Sequence, residues 1–523
     1  MVVEHLTIRN LTATPITLTQ LERFSPPDVS KPEARTLTRS LTTLLNNVTR
    51  STSPVDVISD HAGAFSQQDV SVTIGPFCTE KTDIRVYEKS PNERLRLTFE
   101  TEGGEKHQIQ TPTRTSESAT LKALVDQPRF RFTGIYITPE SHLALYSSAN
   151  LNAWMHELSD HTLTSALSIP GTHNSPTCHK APPSVRCQAV SPREQLENGV
   201  RFFDIRLFPQ YPNQPEKDNL VLVHSVFPIS FMGNKYFKDL VREIDSFLER
   251  NPSETLIMSV KREGPGTHTD AQLSRILHHH YASPGSRWYT EPRIPHLGEV
   301  RGKIVLIRRF GLDESLKGEW NGRGWAIDAS GWADNSPHAT CPSGDICVQD
   351  FYEVLEMRNV EKKIEYINAH LSRSAQINYP PPTIAAAAAV AAAEEVSGAI
   401  LKAEDHPPQN NVQQQQQTRL PFYVNFLSAS NFWKMQTWPE KIAAKVNPAT
   451  VDYLCRKHHQ HHHHHHHHHH GGGGAADDDD DAGDWSTGIL VCDWVGLDGD
   501  WDLVRCIVGM NTKLMMKQKQ RDG

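Results

Sequence analysis

Residues 236–263 read YFKDLVREIDSFLERNPSETLIMSVKRE, and this stretch decides the fold class. In its first half, apolar residues recur at spacings of three and four, which predicts an amphipathic helix. In its second half, TLIMSVKRE is an almost unbroken apolar run that ends in charged residues. Strands that are covered on both faces have this composition. A helix followed by such a strand is typical of α/β folds with a parallel sheet.

Seven more apolar runs of this kind lie between about residue 150 and the C-terminus, and helix-like segments separate most of them. Eight buried strands separated by helices predict a (β/α)8 TIM-type barrel over residues 150–523. In chain order, the other seven runs are TSALSIP, VRFFDIRLF, LVLVHS, KIVLIRRF, ICVQDFY, FYVNFLSAS and GILVCDWVG.

The first 140 residues have a different pattern, in which short bursts alternate apolar and polar residues between Pro, Gly and Asn. Several period-two runs in succession predict an all-β, sandwich-like N-terminal domain at 1–140. No cluster of His, Cys or carboxylates in this part resembles an active site. We therefore expect a docking or stabilising module and not a second enzyme.

Two low-complexity inserts interrupt the predicted barrel, an Ala- and Gln-rich segment at 379–417 and a His/Gly/Asp-rich segment at 458–484. Each follows a helix and precedes a strand, so both are expected on the N-terminal face of the barrel, opposite the catalytic loops. A dense run of imidazoles can hold Zn²⁺ or Ni²⁺, but we interpret this run as a repeat expansion and not as a metal site.

Charge and cysteine content exclude some classes of function. The net charge is −8 and the charges are mixed along the chain, which leaves no basic stripe for a nucleic acid. The N-terminus lacks a signal-peptide pattern and the sequence lacks a bilayer-spanning apolar stretch, so we expect a cytoplasmic protein. The eight cysteines are scattered, which favours a reducing compartment. Cys178 with Cys187, and Cys341 with Cys347, are close enough in sequence to pair in a secreted protein.

Ionisable residues lie inside or directly after these apolar runs, where they are costly unless they are paired or useful. The C-terminal ends of barrel strands converge on one pocket. Taken singly, each such residue has a simpler explanation, such as a surface cation, a helix cap or a structural histidine. Together they predict an active site that contains His173, Asp204, Arg206, His224, Lys261, Arg309, Asp350, Tyr352 and Asp493.

Two histidines with an arginine and carboxylates, without an obvious metal-ligand spacing, indicate one type of chemistry. Two imidazoles can act as general base and general acid near neutral pH when carboxylates fix their tautomers. An arginine matches the charge that develops on a phosphate oxygen. These groups suit the cleavage of a phosphodiester by a neighbouring hydroxyl.

From about residue 150 onward, the two inserts apart, the sequence resembles the X domain of phosphatidylinositol-specific phospholipase C, of the single-barrel bacterial type and its fungal relatives. The motifs SIPGTHNS, FFDIRL, LVHS, SVKRE, GEVRGKIVLIRRF and VCDWVG carry this resemblance in order along the chain. The resemblance implies that the inositol 2-hydroxyl attacks phosphorus, releasing diacylglycerol and forming a cyclic inositol phosphate. The first 140 residues lie outside it.

The resemblance also implies a role for each site residue. His173 would be the general base, oriented by Asp493, and His224 the general acid. Arg206 would bind the phosphate with support from Asp204. The residues expected to contact the inositol are Asn174, Lys261, Arg309, Asp350 and Tyr352, with Arg309 preferred over Arg308 for its spacing from Lys261.

Asn174 departs from the bacterial pattern, which has an aspartate there as partner of the general acid. The calcium-dependent animal enzymes do have asparagine at this position, as a metal ligand. Their further acidic calcium ligands correspond here to Arg206 and Lys261, and fixed cations repel Ca²⁺. We therefore expect no cofactor and no metal.

A phosphoinositide substrate implies transient contact with a membrane surface. The loops SVFPISFMGNKYF and SASNFWKMQTW are predicted to expose apolar tips there, and the protein to associate peripherally with membranes. Two alternatives remain at this stage: a metal-dependent barrel phosphodiesterase acting on another headgroup, and a catalytically retired lipid-binding barrel. The predicted tips are Phe227, Ile229, Phe231, Met232, Phe432 and Trp433.

Overall fold

The computed structural model describes residues 4–25, 29–30, 57–58, 62–89, 93–112, 118–282, 287–356, 358–379, 420–458 and 483–522. The chain divides into two compact units, Met1–Ser148 and Ala149–Gly523.

The described part of the first unit consists of strands and one short 3-10 helix, Thr138–Glu140. In chain order, strands β1–β12 are His5–Leu11, Ile16–Phe24, Val29–Ser30, Val57–Ile58, Ser66–Ile74, Thr79–Arg85, Arg94–Thr101, Lys106–Thr111, Ser118–Thr120, Lys122–Ala123, Phe132–Ile137 and His142–Ser147. Two five-stranded sheets have the orders β6-β1-β12-β11-β9 and β10-β8-β7-β2-β5, and β3 pairs with β4. Buried side chains of both sheets, such as Leu97 and Leu145, belong to one hydrophobic cluster.

The second unit mixes helices and strands. Strands β13–β25 are Ile169–Thr172, Phe202–Pro209, Leu220–His224, Phe227–Pro228, Lys235–Tyr236, Leu256–Arg262, Trp288–Tyr289, Ile304–Arg309, Ile327–Asp328, Ala339–Thr340, Ile346–Gln349, Phe422–Phe426 and Ile489–Cys492. Helices α1–α9 are Pro192–Glu197, Phe237–Arg250, Asp270–Tyr281, Leu297–Val300, Glu319–Gly322, Asn359–Ala375, Pro439–Arg456, Asp502–Gly509 and Asn511–Asp522. Short 3-10 helices are Leu151–Glu157, Thr164–Ala166, Glu314–Leu316, Met435–Thr437 and Leu497–Gly499.

Eight strands of this unit pair in parallel in the order β23-β24-β25-β13-β14-β18-β20-β21. The two-residue strand β19 also pairs in parallel with β20, at the N-terminal end of β20. The predicted α/β fold is therefore confirmed. Among the described residues no strand pairing joins β21 to β23, but the Ser343 hydroxyl donates a hydrogen bond of 2.7 Å to the Asp328 carbonyl oxygen across this opening.

One predicted barrel strand is wrong. The run LVLVHS forms β15, which pairs antiparallel with β14. Only residues 210–219 separate these two strands, which suffices for a hairpin but is too short for the crossover that parallel strands need. The parallel strand that completes the eight is β21, a two-residue strand that the sequence pattern did not reveal.

Residues 236–263 form helix α2 and strand β18, as the sequence pattern predicts. The helix directs Phe237, Ile244 and Phe247 into a hydrophobic cluster that also contains Met258 of β18. Burying a side chain of this size stabilises the fold by about 1.5–3 kcal/mol relative to leaving it exposed. This packing holds β18 and its charged C-terminal end in place.

The low-complexity inserts themselves lie almost entirely outside the described residues, but their flanks are visible near the N-terminal ends of strands. The Tyr379 hydroxyl donates a hydrogen bond of 2.5 Å to the Ser165 carbonyl oxygen, and the Ser165 hydroxyl donates one of 2.8 Å to the Leu420 carbonyl oxygen. Across the second insert, His458 Nε2 bonds the Trp485 carbonyl oxygen at 2.9 Å. Each pair of flanks is thus held together on the barrel.

Two further expectations concerned membrane-spanning segments and disulfides. No described helix combines the length and the apolar character needed to cross a bilayer. Neither possible disulfide is formed, since Cys178, Cys187, Cys341 and Cys347 are free thiols.

Candidate active site

Strand register places three cations in one row. Arg206 of β14 is the register partner of Lys261 of β18, and Lys261 is the partner of Arg309 of β20. Because side chains alternate between the faces of a strand, Asp204 and Glu263 lie on the same face as this row, two residues before Arg206 and two after Lys261. The strands therefore bring together three cations and two carboxylates.

His173 and Asp493 follow directly after the neighbouring strands β13 and β25. His173 Nδ1 lies 2.9 Å from Asp493 Oδ1. Burial raises the pKa of Asp493, and the nearby His173 opposes that shift. The second carboxylate oxygen, Oδ2, is buried without a hydrogen-bond partner among the described residues. The carboxylate thus fixes the His173 ring through one oxygen only.

Asn174 contacts the other nitrogen of the same histidine, with Asn174 Nδ2 lying 3.1 Å from His173 Nε2. Since an amide nitrogen can only donate, His173 Nε2 accepts and the ring proton sits on Nδ1, facing Asp493. The Asn174 backbone has φ = 42° in the left-handed region, which asparagine tolerates. Its backbone N–H donates to Asp204 Oδ2 at 3.2 Å, which fixes this turn against β14.

His224 lies beside His173 at the end of β15, with perpendicular rings whose centroids are 5.9 Å apart. His224 Nδ1 bonds the Val185 carbonyl oxygen at 2.7 Å, so Nδ1 carries a proton and Nε2 is the nitrogen available for proton transfer. Burial, and then the neighbouring His173, lower the pKa of His224 to about 4. The partner of His224 Nδ1 is therefore a neutral backbone carbonyl and not a carboxylate.

Arg206 is held by two carboxylates. Its Nε lies 3.1 Å from both oxygens of Asp204, its Nη2 3.0 Å from Asp204 Oδ2, and its Nη1 2.5 Å from Glu263 Oε1. Burial works against the charged forms, but this pairing raises the pKa of Arg206 and lowers that of Asp204. The guanidinium is consequently a fixed positive charge.

Glu263 was not singled out from the sequence, although it ends the motif SVKRE. Its Oε1 also lies 3.1 Å from Lys261 Nζ, and its Oε2 accepts a hydrogen bond of 2.9 Å from the Ser225 backbone N–H. Although burial opposes it, Arg206 and then Lys261 hold the pKa of Glu263 well below its usual range. Glu263 therefore joins the cation row to the turn after His224. Its position two residues after Lys261 is the signal that could have revealed it.

Arg309, and not Arg308, belongs to this site. Its guanidinium stacks over the Trp332 ring at 3.8 Å from the centroid, with Nη1 3.5 Å from Asp204 Oδ1 and Nη2 3.7 Å from Asp350 Oδ2. Arg308 instead pairs with Asp328 at 2.8 Å.

Asp350 and Tyr352 follow β23 on the same side. Asp350 Oδ2 accepts a hydrogen bond of 2.9 Å from Trp332 Nε1, and the Tyr352 hydroxyl donates one of 2.9 Å to Asp334 Oδ2. Burial, and then Asp334, raise the pKa of Tyr352. Trp332 and Asp334 were missed because they lie in the irregular segment before β22, where no periodic pattern marks them.

The loop after β15 and the loop after β24 expose most of the predicted apolar tips. Phe231 is 70% exposed, Met232 86% and Trp433 88%. Phe227 and Phe432 stack with ring centroids 5.0 Å apart, which brings the two loops together. The expectation for Ile229 is wrong, since its side chain is buried in the main hydrophobic cluster.

Part of the chain is similar in sequence to known proteins. Residues 162–310 match the family model described as phosphatidylinositol-specific phospholipase C, X domain. A 1-phosphatidylinositol phosphodiesterase of Listeria monocytogenes is 34% identical over 172 residues, which are 31% of this chain and 50% of that protein. One of Staphylococcus aureus strain Newman is 28% identical over 235 residues, which are 42% of this chain and 69% of that protein. The chain thus spans about half the length of the Listeria relative.

Solved structures of the same kind also align with the chain. The phosphatidylinositol-specific phospholipase C of Staphylococcus aureus has a TM-score of 0.45 at 23% identity, covering 69% of this chain and 97% of that one. The enzyme of Listeria monocytogenes has a TM-score of 0.43 at 20% identity, covering 68% of this chain and 99% of that one.

Proposed function

We propose that this chain, whose residues 162–310 match the family model of the phosphatidylinositol-specific phospholipase C X domain, cleaves phosphatidylinositol-type lipids. The products are diacylglycerol and a cyclic inositol phosphate, which makes the reaction a lyase reaction. One observation carries this proposal. Two histidine rings have their Nδ1 atoms paired with oxygen acceptors, which leaves Nε2 for proton transfer, and their centroids lie 5.9 Å apart. Beside them lies a guanidinium that two carboxylates hold in place.

His173 is the general base in this mechanism. Because its proton sits on Nδ1 and faces Asp493, Nε2 is free to accept the proton of the inositol 2-hydroxyl. The substrate hydroxyl displaces the Asn174 amide, which contacts Nε2 in the ligand-free site. As the oxygen–phosphorus bond forms, His173 becomes a cation, and Asp493 stabilises that charge.

Arg206 binds the phosphate. An arginine has five N–H donors, and the carboxylates of Asp204 and Glu263 engage three of them, on Nε, Nη1 and Nη2. Two N–H groups therefore remain for the phosphate oxygens. Because both carboxylates fix the guanidinium in advance, little reorganisation is needed when negative charge builds up on the phosphate.

His224 protonates the glycerol oxygen as the phosphorus–oxygen bond to diacylglycerol breaks. A pKa of about 4 leaves it neutral in the ligand-free protein at pH 7. A bound phosphate anion next to the ring favours the imidazolium and raises this pKa. The substrate thus promotes protonation of its own general acid, which offsets the lack of a carboxylate at Asn174.

The inositol ring is placed against the remaining charged groups. Lys261 and Arg309 follow Arg206 in the cation row, on β18 and β20, and present donors to the ring hydroxyls. Asp350 accepts from another hydroxyl, and the ring of Tyr352 provides a face for the sugar. These assignments follow the resemblance residue by residue, with the shared register of the three strands in support.

We propose that the reaction needs no calcium. Ca²⁺ takes six to eight oxygen ligands, whereas the carboxylates of Asp204 and Glu263 are already neutralised by Arg206 and Lys261. The fixed cations supply the charge that the ion would supply. Activity that persists in excess EDTA is expected, and full dependence on added Ca²⁺ would exclude this mechanism.

The lipid is reached through the two apolar loops. Phe231, Met232 and Trp433 are exposed beside the stacked pair of Phe227 and Phe432. Aromatic and apolar tips of this kind insert into the membrane interface. We therefore propose transient contact with the membrane surface, by a protein whose free thiols Cys178 and Cys347 favour a cytoplasmic location.

The N-terminal unit is proposed as a sandwich-like β domain with a docking or stabilising role, supported by the hydrophobic cluster that its two sheets share. For the barrel unit, the intact His173–Asp493 pair favours an enzyme over a retired lipid-binding barrel.

The experiment that tests the proposed function is product analysis by phosphorus NMR with phosphatidylinositol vesicles and excess EDTA. Wild type is compared with His173→Ala, and with Asp328→Asn as a control outside the site. A cyclic phosphodiester signal from wild type and the control, but not from His173→Ala, is expected. Turnover that needs a divalent ion would favour a metal-assisted phosphodiesterase, and no turnover under either condition would favour the retired barrel.

A further inference from the structure

Cys187 is a buried thiol next to the catalytic histidines, and the mechanism above does not use it. Its Sγ lies 3.7 Å from His224 Nδ1. One ring nitrogen of His173, the Sγ of Cys187 and one carboxylate oxygen of Asp493 all lie within 4.8 Å of one another. A thiol, an imidazole and a carboxylate gathered this closely form a potential ligand set for a transition metal.

Asp493 provides a second, independent indication. Its side chain is 2% exposed, and its Oδ2 has no hydrogen-bond partner among the described residues. An unpartnered carboxylate oxygen is costly in a buried position, and a bound cation would satisfy it. The observed polar partner of this carboxylate, His173, is itself a member of the proposed ligand set.

We propose that Zn²⁺ binds at His173, Cys187 and Asp493 and inhibits the enzyme. Zn–S and Zn–N distances of about 2.3 and 2.0–2.1 Å separate tetrahedral ligand atoms by roughly 3.4–3.6 Å. The observed atoms lie within 4.8 Å of one another, so the set needs a contraction of at most about 1.4 Å. A thiolate selects Zn²⁺ over Ca²⁺ or Mg²⁺, which prefer oxygen ligands.

Binding exchanges a proton for the metal: the Cys187 thiol releases its proton to solvent and the sulfur then coordinates the cation. The His173 ring keeps one proton, on the nitrogen that does not coordinate. His173 is the residue through which the cation enters, because its side chain is 16% exposed whereas Cys187 is fully buried. Once His173 and Asp493 ligate the metal, the pair can no longer accept the substrate proton. The inhibition rests on the proposed function, but the binding does not.

The test uses Co²⁺ as a spectroscopic probe and Zn²⁺ as the inhibitor, on the full-length chain. Co²⁺ bound to a thiolate gives a near-ultraviolet charge-transfer band that imidazoles do not give, so the histidine tract at 458–470 does not contribute to it. Cys187→Ser is compared with Cys492→Ser, the same substitution in the strand that precedes Asp493, and Cys187→Ala provides a second variant at the site.

We expect the band in wild type and in Cys492→Ser, and not in either Cys187 variant. Zn²⁺ should inhibit phosphatidylinositol turnover at concentrations at least about tenfold lower in wild type than in Cys187→Ser, since loss of an outer-shell partner alone costs roughly 10–100-fold in metal affinity. No band in wild type, or a band that survives in both Cys187 variants, would overturn the site. A band without inhibition in an active enzyme would overturn the inhibitory role, while an inactive enzyme that shows the band would refute only the proposed function.

Discussion

Asp493→Asn removes the negative charge that orients His173 while keeping the shape of the side chain. In the wild type, Oδ1 accepts the Nδ1 proton at 2.9 Å and Oδ2 is buried without a partner. The new amide has two arrangements. With its nitrogen toward His173, it forces the ring proton onto Nε2, the Asn174 amide turns its oxygen towards that proton, and the general base is lost. With its oxygen toward His173, its NH2 group occupies the unpartnered position of Oδ2.

The second arrangement is the reactive one, and it is disfavoured by about 1–3 kcal/mol because a buried donor is left unsatisfied. The lost charge weakens the bond to the imidazolium by a further ~1 kcal/mol, the difference between a charged and a neutral hydrogen bond. The two effects together raise the barrier by about 2–4 kcal/mol. Since each 1.36 kcal/mol is a factor of ten, kcat should fall by about 30- to 1,000-fold.

The assay measures kcat for a soluble inositol phosphodiester in the presence of EDTA. Because this substrate is soluble, membrane binding does not affect the measured rate. Asp328→Asn is the matched control, because Asp328 pairs with Arg308 away from the cation row, and its kcat should stay at the wild-type value. Burial raises the pKa of Asp493, so a neutral amide should not lower the melting temperature. A kcat for Asp493→Asn within about threefold of wild type, in a folded protein, would refute the assignment of the pair as the general base.

Three further predictions follow from the site and its loops. Glu263→Gln removes the carboxylate shared by the cations, and kcat/KM should fall by about 10- to 150-fold; wild-type kinetics would show that the carboxylate is dispensable. Phe231→Ala and Trp433→Ala should weaken vesicle binding yet spare a soluble inositol phosphodiester, and equal losses on both would reject the interfacial role. Because the pKa of His224 is lowered to about 4, its stabilising contribution is complete above about pH 6.5 and disappears as the pH falls towards 4. Melting temperatures of His224→Gln should therefore fall less than those of wild type across this window, and parallel curves would contradict the lowered pKa.

Much of the barrel was predictable because buried parallel strands have a distinctive composition. The helix and the strand of residues 236–263 were predicted correctly, because the apolar residues that give the sequence its pattern are the ones that the fold buries. Strand direction was not predictable from composition alone. The run at Leu220–His224 is as apolar as a barrel strand, and only the ten-residue connection before it indicates a hairpin.

The site was predictable where functional residues end apolar runs and not elsewhere. Trp332 lies outside any regular element, so nothing in the local pattern indicates that it stacks on Arg309. Ile229 was expected to be exposed because it lies in the loop after His224, but its apolar side chain is buried in the main hydrophobic cluster. In both cases tertiary packing determined the outcome.

The in-register row of cations has a consequence for how this gene can vary. Substituting one of Arg206, Lys261 or Arg309 changes one group of the site. Deleting a single codon within β14, β18 or β20 instead turns every later side chain of that strand to the opposite face of the sheet, because successive side chains alternate between the two faces. Such a deletion in β14 before Asp204 would remove both Asp204 and Arg206 from the pocket together. Length changes should therefore be absent from these three strands in functional copies of the gene, even where the individual apolar residues are exchanged.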